Sequence, residues 1–480
     1  MALHVQLLSD LGVILDLDAS PYGINALGGS LGTVDLGQQF ATVWQRGFRP
    51  LVAQNYGNRE LELNVQLRGT SHDDLITNYR QMAQCLSETA TYHLSGGQQG
   101  AAAYLAVQLA GATNTSVLDI IAGQVVSPPV FQHSAQSTTA PYMLSVTVAL
   151  TLKPWAHPQA VTRASQVVEA WGGQTSTVNP NTQVLTITPS SNMTRESHSV
   201  LTFTHTSGPA DLTYTTGMII ARRSVGNVNN WTPTIQAEIG TASNYAVTSG
   251  SLTSCQIGTT ATGLAQGGNV LTLNSNVLTN AVTGVLCTIE LTKNVVDMAG
   301  RHRVYVNTTG TAGKLTSGYF SYGGVSGDKV PLASTPINVT GHIYMGIVEV
   351  PSDPLVNSFK MQFHVKAASG ATVGEVRFDS FTLVPIDEQV FQVSSGGGGA
   401  MVWTSNQLRL NGLDGELRQS WLNSSGDIPS SANIQPSALP PYGFTVPPRL
   451  TKFIALSGSS NATHEFTLAV DYYPNTDWLL

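Results

Sequence analysis

The chain has 480 residues, of which 11% are charged, with a formal net charge of -7 and 46 glycines. A chain of this length is expected to form two or three domains rather than one core. Its charge density lies well below the roughly 25% of an average globular protein, and it has no basic stripe to hold phosphates, which argues against sequence-specific nucleic acid as a partner.

The chain opens MALHVQLLSDLG, without a basic leader or a cleavage pattern, so no Sec-type signal peptide is expected. No apolar run approaches the roughly 20 residues that span a bilayer, so membrane insertion is not expected either. The three cysteines, Cys85, Cys255 and Cys287, are too few and odd in number for a disulfide framework. Cys255 and Cys287 both lie in strand-like runs that could be neighbours in one sheet. Two buried free thiols in a reducing compartment is the favoured reading.

Residues 1–57 hold short apolar pieces (13–17, 34–36, 40–44) between turns with glycine or proline, and read as early strands and an extended arm. Leu61, Leu63, Val65 and Leu67 then alternate with Glu62, Asn64, Gln66 and Arg68, the period of a half-buried strand. Gly69 breaks this pattern. Ser71 and Asp74 have the spacing of a capping box. Leu75, Ile76, Tyr79, Met82, Ala83 and Leu86 follow at helical spacing and predict a helix over 72–89. It is the only long helical segment in the sequence, so one helix must pack on one sheet. Residues 104–109 and 117–126 read as strands, and Pro128-Pro129 starts a loop. Leu144, Val146, Val148, Leu150 and Leu152 form a second alternation. It is expected to stop at Lys153-Pro154-Trp155, because proline cannot continue a central strand. The first boundary falls near Arg163.

From 164 to 393 the texture changes to short strands rich in Thr, Ser, Asn and Gly: 183–188, 200–204, 270–273, 285–291, 303–306, 343–350 and 359–365. A final pair ends in GEVRFDSFTLVPID. Strands this short and numerous predict a β-sandwich, although the segment is large for one. Ser394-Ser395-Gly396-Gly397-Gly398-Gly399 is flexible punctuation. The segment after it, 394–480, has strands at 403–413, 449–456 and 466–473 and many prolines, a poor independent core. The expected account is that its last strand returns to complete the N-terminal sheet. The fold class is then mainly β. A split β-barrel or sandwich domain with one packed helix (1–163 and 394–480) is interrupted by an all-β jelly-roll or sandwich domain (164–393).

The stretches NRELELNVQLRGTSHDDLITNYRQMAQCL, YLAVQLAGATNTSVLDIIAGQVVSPP and MLSVTVALTLKPWAHP resemble the N-terminal domain of phage distal tail proteins and related minor tail proteins of long-tailed phages. The final THEFTLAVDYYP, after the Pro-rich PPYGFTVPPRL, resembles that family's closing strand. The middle segment resembles galectin-like or carbohydrate-binding-module jelly rolls, with GEVRFDSFTLVPI as their last strand. The resemblance implies a structural virion protein, assembled in the host cytoplasm as a homo-oligomeric ring, a hexamer, around the tail channel. Its partners would be the tail tube protein and the tail-tip or baseplate hub proteins. Edge strands and arms pairing between subunits would explain the uncovered early segments.

Signals for chemistry are weak. Gly28-Gly29-Ser30-Leu31-Gly32 fits G-x-S-x-G, but no helix is expected after the serine, as a nucleophile elbow requires. Gly313-Lys314 lacks the other residues of a phosphate loop, with Thr308 in the place of its first glycine and Leu315 where Ser or Thr should stand. Asp16-Leu17-Asp18-Ala19-Ser20 has Pro21 where a calcium loop turns on glycine, and reads as an exposed strand face. His464-Glu465 lacks the second histidine of a zinc helix, and Arg301-His302-Arg303 reads as a solvated strand end. No catalytic residue, cofactor or metal is expected, and the chain is not read as an enzyme. One site hypothesis remains, a host-surface glycan bound by Trp231, Tyr319 and Tyr322 in loop-like Gly- and Ser-rich surroundings. The competing reading is that these aromatics plug the sandwich core. The expected function is the tail ring; the alternative is a carbohydrate-binding host-adhesion module carried on it.

Overall fold

The computed structural model describes residues 4–27, 34–40, 51–95, 99–108, 112–126, 130–132, 142–159, 162–170, 184–207, 214–224, 234–236, 245–249, 255–259, 269–273, 283–292, 299–310, 315–322, 341–350, 358–367, 376–394, 401–402, 407–412, 418–422, 436–438, 440, 442–459 and 464–477. The chain is mainly β, as its sequence predicts. It forms two compact units. One comprises Met1–Thr162, Ser190–Ser197 and Tyr473–Leu480; the other comprises Arg163–Pro189 and His198–Tyr472.

The first unit contains β1 (His4–Ser9), β2 (Ile14–Asp16), β3 (Tyr22–Leu27), β4 (Val34–Phe40), β5 (Leu51–Gly69), α1 (His72–Leu94), β6 (Ala103–Gln108), β7 (Ser116–Val125), β8 (Val130–Gln132) and β9 (Tyr142–Pro158). Its strands make a nine-stranded, nearly closed sheet in the order β2-β1-β6-β7-β9-β5-β3, with β4 also pairing β5 and β8 also pairing β9. The two alternating stretches of the sequence are the antiparallel neighbours β5 and β9, in register from Arg59↔Leu152 to Gly69↔Tyr142. Their apolar sets, Leu61 to Leu67 and Leu144 to Leu152, share one buried core. Each such side chain contributes on the order of 2 kcal/mol by leaving water.

At Gly69 a Cβ would sit 2.6 Å from the backbone nitrogen of Leu75, so only glycine fits the corner from strand to helix. Helix α1 begins as the capping box predicts. Asp74 N donates to Ser71 Oγ at 3.1 Å, and Asp74 Oδ2 accepts from Thr70 N at 2.8 Å. The helix runs past residue 89 to Leu94. Its last turn is held where His93 Nε2 meets the Ile120 carbonyl at 2.9 Å. The buried stripe is Leu75, Asn78, Met82, Cys85, Leu86 and Thr89, rotated from the purely apolar one. Asn78 is tolerated there because its Nδ2 donates to Arg68 O at 3.0 Å; its backbone carbonyl accepts from Tyr22 Oη at 3.4 Å. Opposite, a Cβ on Gly123 of β7 would lie 2.6 Å from Leu86 Cδ2, so the glycine lets helix and sheet approach closely.

Strand β9 does not stop at Pro154. It continues to Pro158 because its pairing with β7 shifts from Ile120↔Leu152 to Leu118↔Ala156. Lys153, Pro154 and Trp155 thus stand opposite the single residue Asp119. In such a bulge a proline gives up no ladder bond.

The second unit contains more than one sandwich, which answers the excess length. Before an inner segment lie β10 (Thr162–Ala170), β11 (Val184–Ile187), β12 (Ser197–Ser207) and β13 (Tyr214–Ser224). The inner segment supplies β14 (Thr234–Gln236), β15 (Tyr245–Ser249), β16 (Cys255–Thr259), β17 (Asn269–Leu273), β18 (Thr283–Thr292), β19 (Gly300–Gly310), β20 (Leu315–Tyr322), β21 (Gly341–Val350), β22 (Ser358–Ala367) and β23 (Val376–Pro385). The chain then adds β24 (Gln389–Ser394), β25 (Met401–Val402), β26 (Gln407–Asn411), β27 (Arg418–Leu422), β28 (Pro436–Ala438), β29 (Thr445–Val446), β30 (Thr451–Ser459) and β31 (His464–Tyr472).

The flanking strands form the sheets β10-β31-β12-β26-β27, with β29 on β12, and β11-β30-β13-β24-β28, with β25 on β13. The inner ones form β16-β17-β23-β19-β21, with β14 on β23, and β15-β18-β22-β20. The nested sheets meet through Phe363 of β22, whose ring lies 5.5 Å from that of Phe378 and 5.2 Å from that of Phe381 on β23. In the flanking pair, Phe444 meets Phe453 at 5.9 Å.

Two expectations differ from this arrangement. The closing strand, β31, lies between β10 and β12, where Leu468 and Val470 pair with Phe203 and Leu201, and not in the nine-stranded sheet. Only Tyr473–Leu480 belongs to the first unit. Cys255 and Cys287 fall in different sheets, on β16 and β18; Cys287 is buried, as is Cys85. The Gly-rich residues 395–400 lie outside the described residues, as do Gly28–Gly32 and Gly313-Lys314 of the sequence motifs.

Candidate functional site

Two polar constellations and one surface face stand out. The first is built by the bulge in β9. Lys153 Nζ reaches Asp119 Oδ2 at 2.9 Å, and His157 Nε2 reaches Asp119 Oδ1 at 2.9 Å. The other ring nitrogen of His157 lies 2.7 Å from Pro158 O. Burial pushes the Asp119 carboxyl up, but the His157 hydrogen bond and the Lys153 charge outweigh it and hold the group well below the usual carboxylate range. Nearby, Tyr104 Oη donates to Asp10 Oδ2 at 3.3 Å, and burial together with the Asp10 and Asp119 charges raises the Tyr104 phenol. His157 also packs on Tyr473, ring to ring at 4.4 Å.

That contact belongs to a clasp in which three separated stretches of the first unit close on one another. Ala156 and Thr476 exchange backbone hydrogen bonds at 3.1 and 2.8 Å, and Thr194 N and Arg195 N both donate to Asn475 O. Arg195 pairs with Asp477 at 2.7 Å and lies over the Trp155 ring. Arg59 Nη2 donates to Asp477 O at 3.1 Å, and its Nε to Pro154 O at 2.8 Å. Every bond here ties chain to chain, which is a structural task.

The second constellation, in the second unit, joins the two sandwiches. Arg222 of β13 pairs with Glu388 at 2.8 Å and donates to Thr445 O at 3.0 Å. Arg223 donates to Ala299 O and approaches His302 Nε2 at 3.5 Å. His302 is fully buried, which corrects the reading of Arg301-His302-Arg303 as a solvated strand end. Burial and the Arg223 charge push its pKa down to about 3. The neutral ring donates through Nδ1 to Gly300 O at 3.1 Å, leaving Nε2 to accept from Arg223. Gly300 has a φ of +110°, and a Cβ there would lie 1.7 Å from Asp387 Oδ2, which accepts from Arg301 N.

The face is on β19 and β21. Tyr305 stands across from Tyr344, rings 5.5 Å apart at 49°, with the Arg303 guanidinium 5.6 Å from the Tyr344 ring centre. Sequence reasoning passed over these residues, since nothing in one strand announces its partner. Of those it selected, Trp231 lies outside the described residues. Tyr319 and Tyr322 lie within β20 rather than in a loop, in register with His364 and Met361 of β22; their side chains are outside the described set. The structure gives no grouping of the three.

Asp16 and Asp18 are held by other side chains, Gln6 Nε2 at 2.5 Å and His4 Nδ1 at 2.9 Å. Among the described residues no cluster of three or more His, Cys, Asp or Glu is arranged to hold a metal ion. Likewise, none of their helices is long and apolar enough to cross a membrane.

No protein-family model matches the chain, and no curated protein sequence does. Solved structures similar to it include the crystal structure of SPP1 Dit (gp 19.1), described as a paradigm of the hub adsorption apparatus in phages infecting Gram-positive hosts. It shares 9% identity, covers 97% of this chain and 98% of its own, and has a TM-score of 0.29. The phage P2 baseplate in its activated conformation with calcium shares 9% identity over 79% of this chain and 98% of its own, with a TM-score of 0.24. The structure of the infectious bursal disease virus Gx strain shares 10% over 66% and 80%, with a TM-score of 0.16. Likeness at this level transfers no role to the chain.

Proposed function

We propose that the chain is a non-catalytic structural protein of a phage tail. It assembles in the host cytoplasm as a ring, a hexamer, at the distal tail and joins the tail tube to the tip or baseplate hub proteins. One observation carries this reading. The three N-terminal stretches that resemble distal tail proteins, all within residues 58–158, fall in a single sheet with its helix: β5 with α1, β6 with β7, and β9. A net charge of -7 on a weakly charged chain also suits a channel that must not retain DNA. Electron microscopy of the purified full chain, alone and with tube and hub proteins, tests the reading. Closed rings with a central channel are expected; isolated single chains in both preparations would contradict it.

A second reading is favoured by the exposed Tyr344 beside the half-buried Tyr305 and Arg303. The nested sandwich, jelly-roll-like by resemblance, attaches to a host-surface glycan, and the rest of the chain is its mount. Saturable glycan binding by the purified chain supports it, and its absence counts against it.

A further inference from the structure

We propose that the Tyr344 side of the β19–β21 face, with Arg303 behind it, binds an acidic saccharide, a sugar chain bearing carboxylates or phosphates. This rests on the second reading above and adds the place and the charge of the ligand.

Alternation along β19 sets the direction of its side chains. His302, Val304 and Val306 are buried, so Arg301, Arg303 and Tyr305 share the opposite face, which is covered beside β23, where Val384 and Thr382 are buried, and opens toward β21. The partner strand is re-aimed toward them. Val304 pairs with Gly346, but Tyr305 pairs with Tyr344, so one extra residue of β21, Met345, is accommodated as a bulge. Gly346 takes the φ of +122° found there. A regular ladder would set Met345 across from Tyr305; instead Met345 is buried and Tyr344 comes across, 41% exposed. The aromatic rings that hold this sandwich together, Phe363, Phe378 and Phe381, are by contrast fully buried. Tyr344 therefore belongs to the surface.

Charge complementarity selects the occupant. Two carboxylates lie at the Arg301 end: Glu349 across from it by register, and Asp387 at its backbone amide. Among the described residues neither forms an ion pair with Arg303, whose guanidinium is held over the Tyr344 ring. A guanidinium steadied on an aromatic face loses little freedom when it pairs with an anion, and its planar fork fits a carboxylate or phosphate through two bonds. The exposed Tyr344 ring offers an apolar face to the C–H face of a sugar. An acidic sugar uses both halves of this face, whereas a neutral one leaves the Arg303 charge without an anion.

The test is binding of the purified full chain to immobilised polygalacturonate, phosphorylated mannan and neutral dextran. The parent is compared with Arg303→Gln and Tyr344→Ala, each checked for an unchanged circular dichroism spectrum and melting point. Retention on one or both acidic polymers is expected, about tenfold weaker in either variant; the polymer preferred identifies the anionic group. Acidic binding that both folded variants keep in full overturns the proposal and leaves glycan attachment standing elsewhere on the chain. Dextran binding lost in Tyr344→Ala but kept in Arg303→Gln overturns only the acidic class. No retention on any polymer overturns the proposal and the second reading together. Should Tyr344→Ala lose its fold, Tyr344→Leu takes its place beside Arg303→Gln, with weakening again expected and parental binding in both contradicting the site.

Discussion

His157 and Asp119 are joined at 2.9 Å beside the β9 bulge that accommodates Pro154, and Lys153 from the same bulge holds the other carboxylate oxygen. The pair sits where the first unit's separated stretches close, so its integrity reports on that closure.

Asp119→Asn is therefore expected to destabilise the protein by about 1–3 kcal/mol at pH 7, the effect of leaving buried donors unpaired. The Asp119 carboxyl titrates below its ordinary 3.8 in the folded chain. Its contribution is thus fully present above 3.8 and is lost as pH falls below that value. In urea unfolding the gap between parent and variant should shrink by about 1 kcal/mol from pH 7 to pH 3. A gap that widens toward acid would refute this assignment.

His302 has the depressed value of a buried neutral ring, about 3 against 6.5. The unfolded chain takes up this proton first, so stability is complete above 6.5 and declines as pH falls from 6.5 toward 3. In a histidine-labelled sample, the resonance that disappears in His302→Gln should stay flat from pH 8 to 4.5. A midpoint near 6.5 would show that the joint between the sandwiches is open to water.

Gly300 and Gly12 both have positive φ, but only Gly300 is crowded, by the Asp387 carboxylate that holds Arg301 N. Gly12→Ala should cost about 1 kcal/mol for its backbone alone. Gly300→Ala should cost about 2–4 kcal/mol, since Asp387 must also give up its bond. Equal melting points for the two variants would count against the crowding.

Ser71→Ala should lower stability by about 1 kcal/mol, through loss of the cap on α1. Ser71→Asp, which can accept the same bond, should recover most of it. Differential scanning calorimetry compares the three proteins, and an Asp variant as weak as the Ala one would discount the cap.

What the sequence revealed was periodicity. Leu61 to Leu67 and Leu144 to Leu152 announced two strands, and Ser71 with Asp74 announced the helix between them, because each pattern is set by neighbours along the chain. The Asp119–Lys153–His157 cluster was hidden, because Pro154 reads as a stop until the register of β7 turns it into a bulge. The nesting of one sandwich in another was hidden for a similar reason: β13 pairs with β24 across the whole inner segment, and short strands look alike in one sandwich or two. Tyr344 joins Tyr305 only through a bulge in the partner strand, whereas Tyr319 and Tyr322 attracted notice by local composition alone.

The most direct test of the tail-ring account is native mass spectrometry of the full-length protein over a range of concentrations. A single closed assembly, the hexamer, is the predicted species, with the 50.8 kDa chain appearing only on dilution. A mass that stays at one chain when tube and hub proteins are added, or one that grows without limit as an open polymer, would contradict the account.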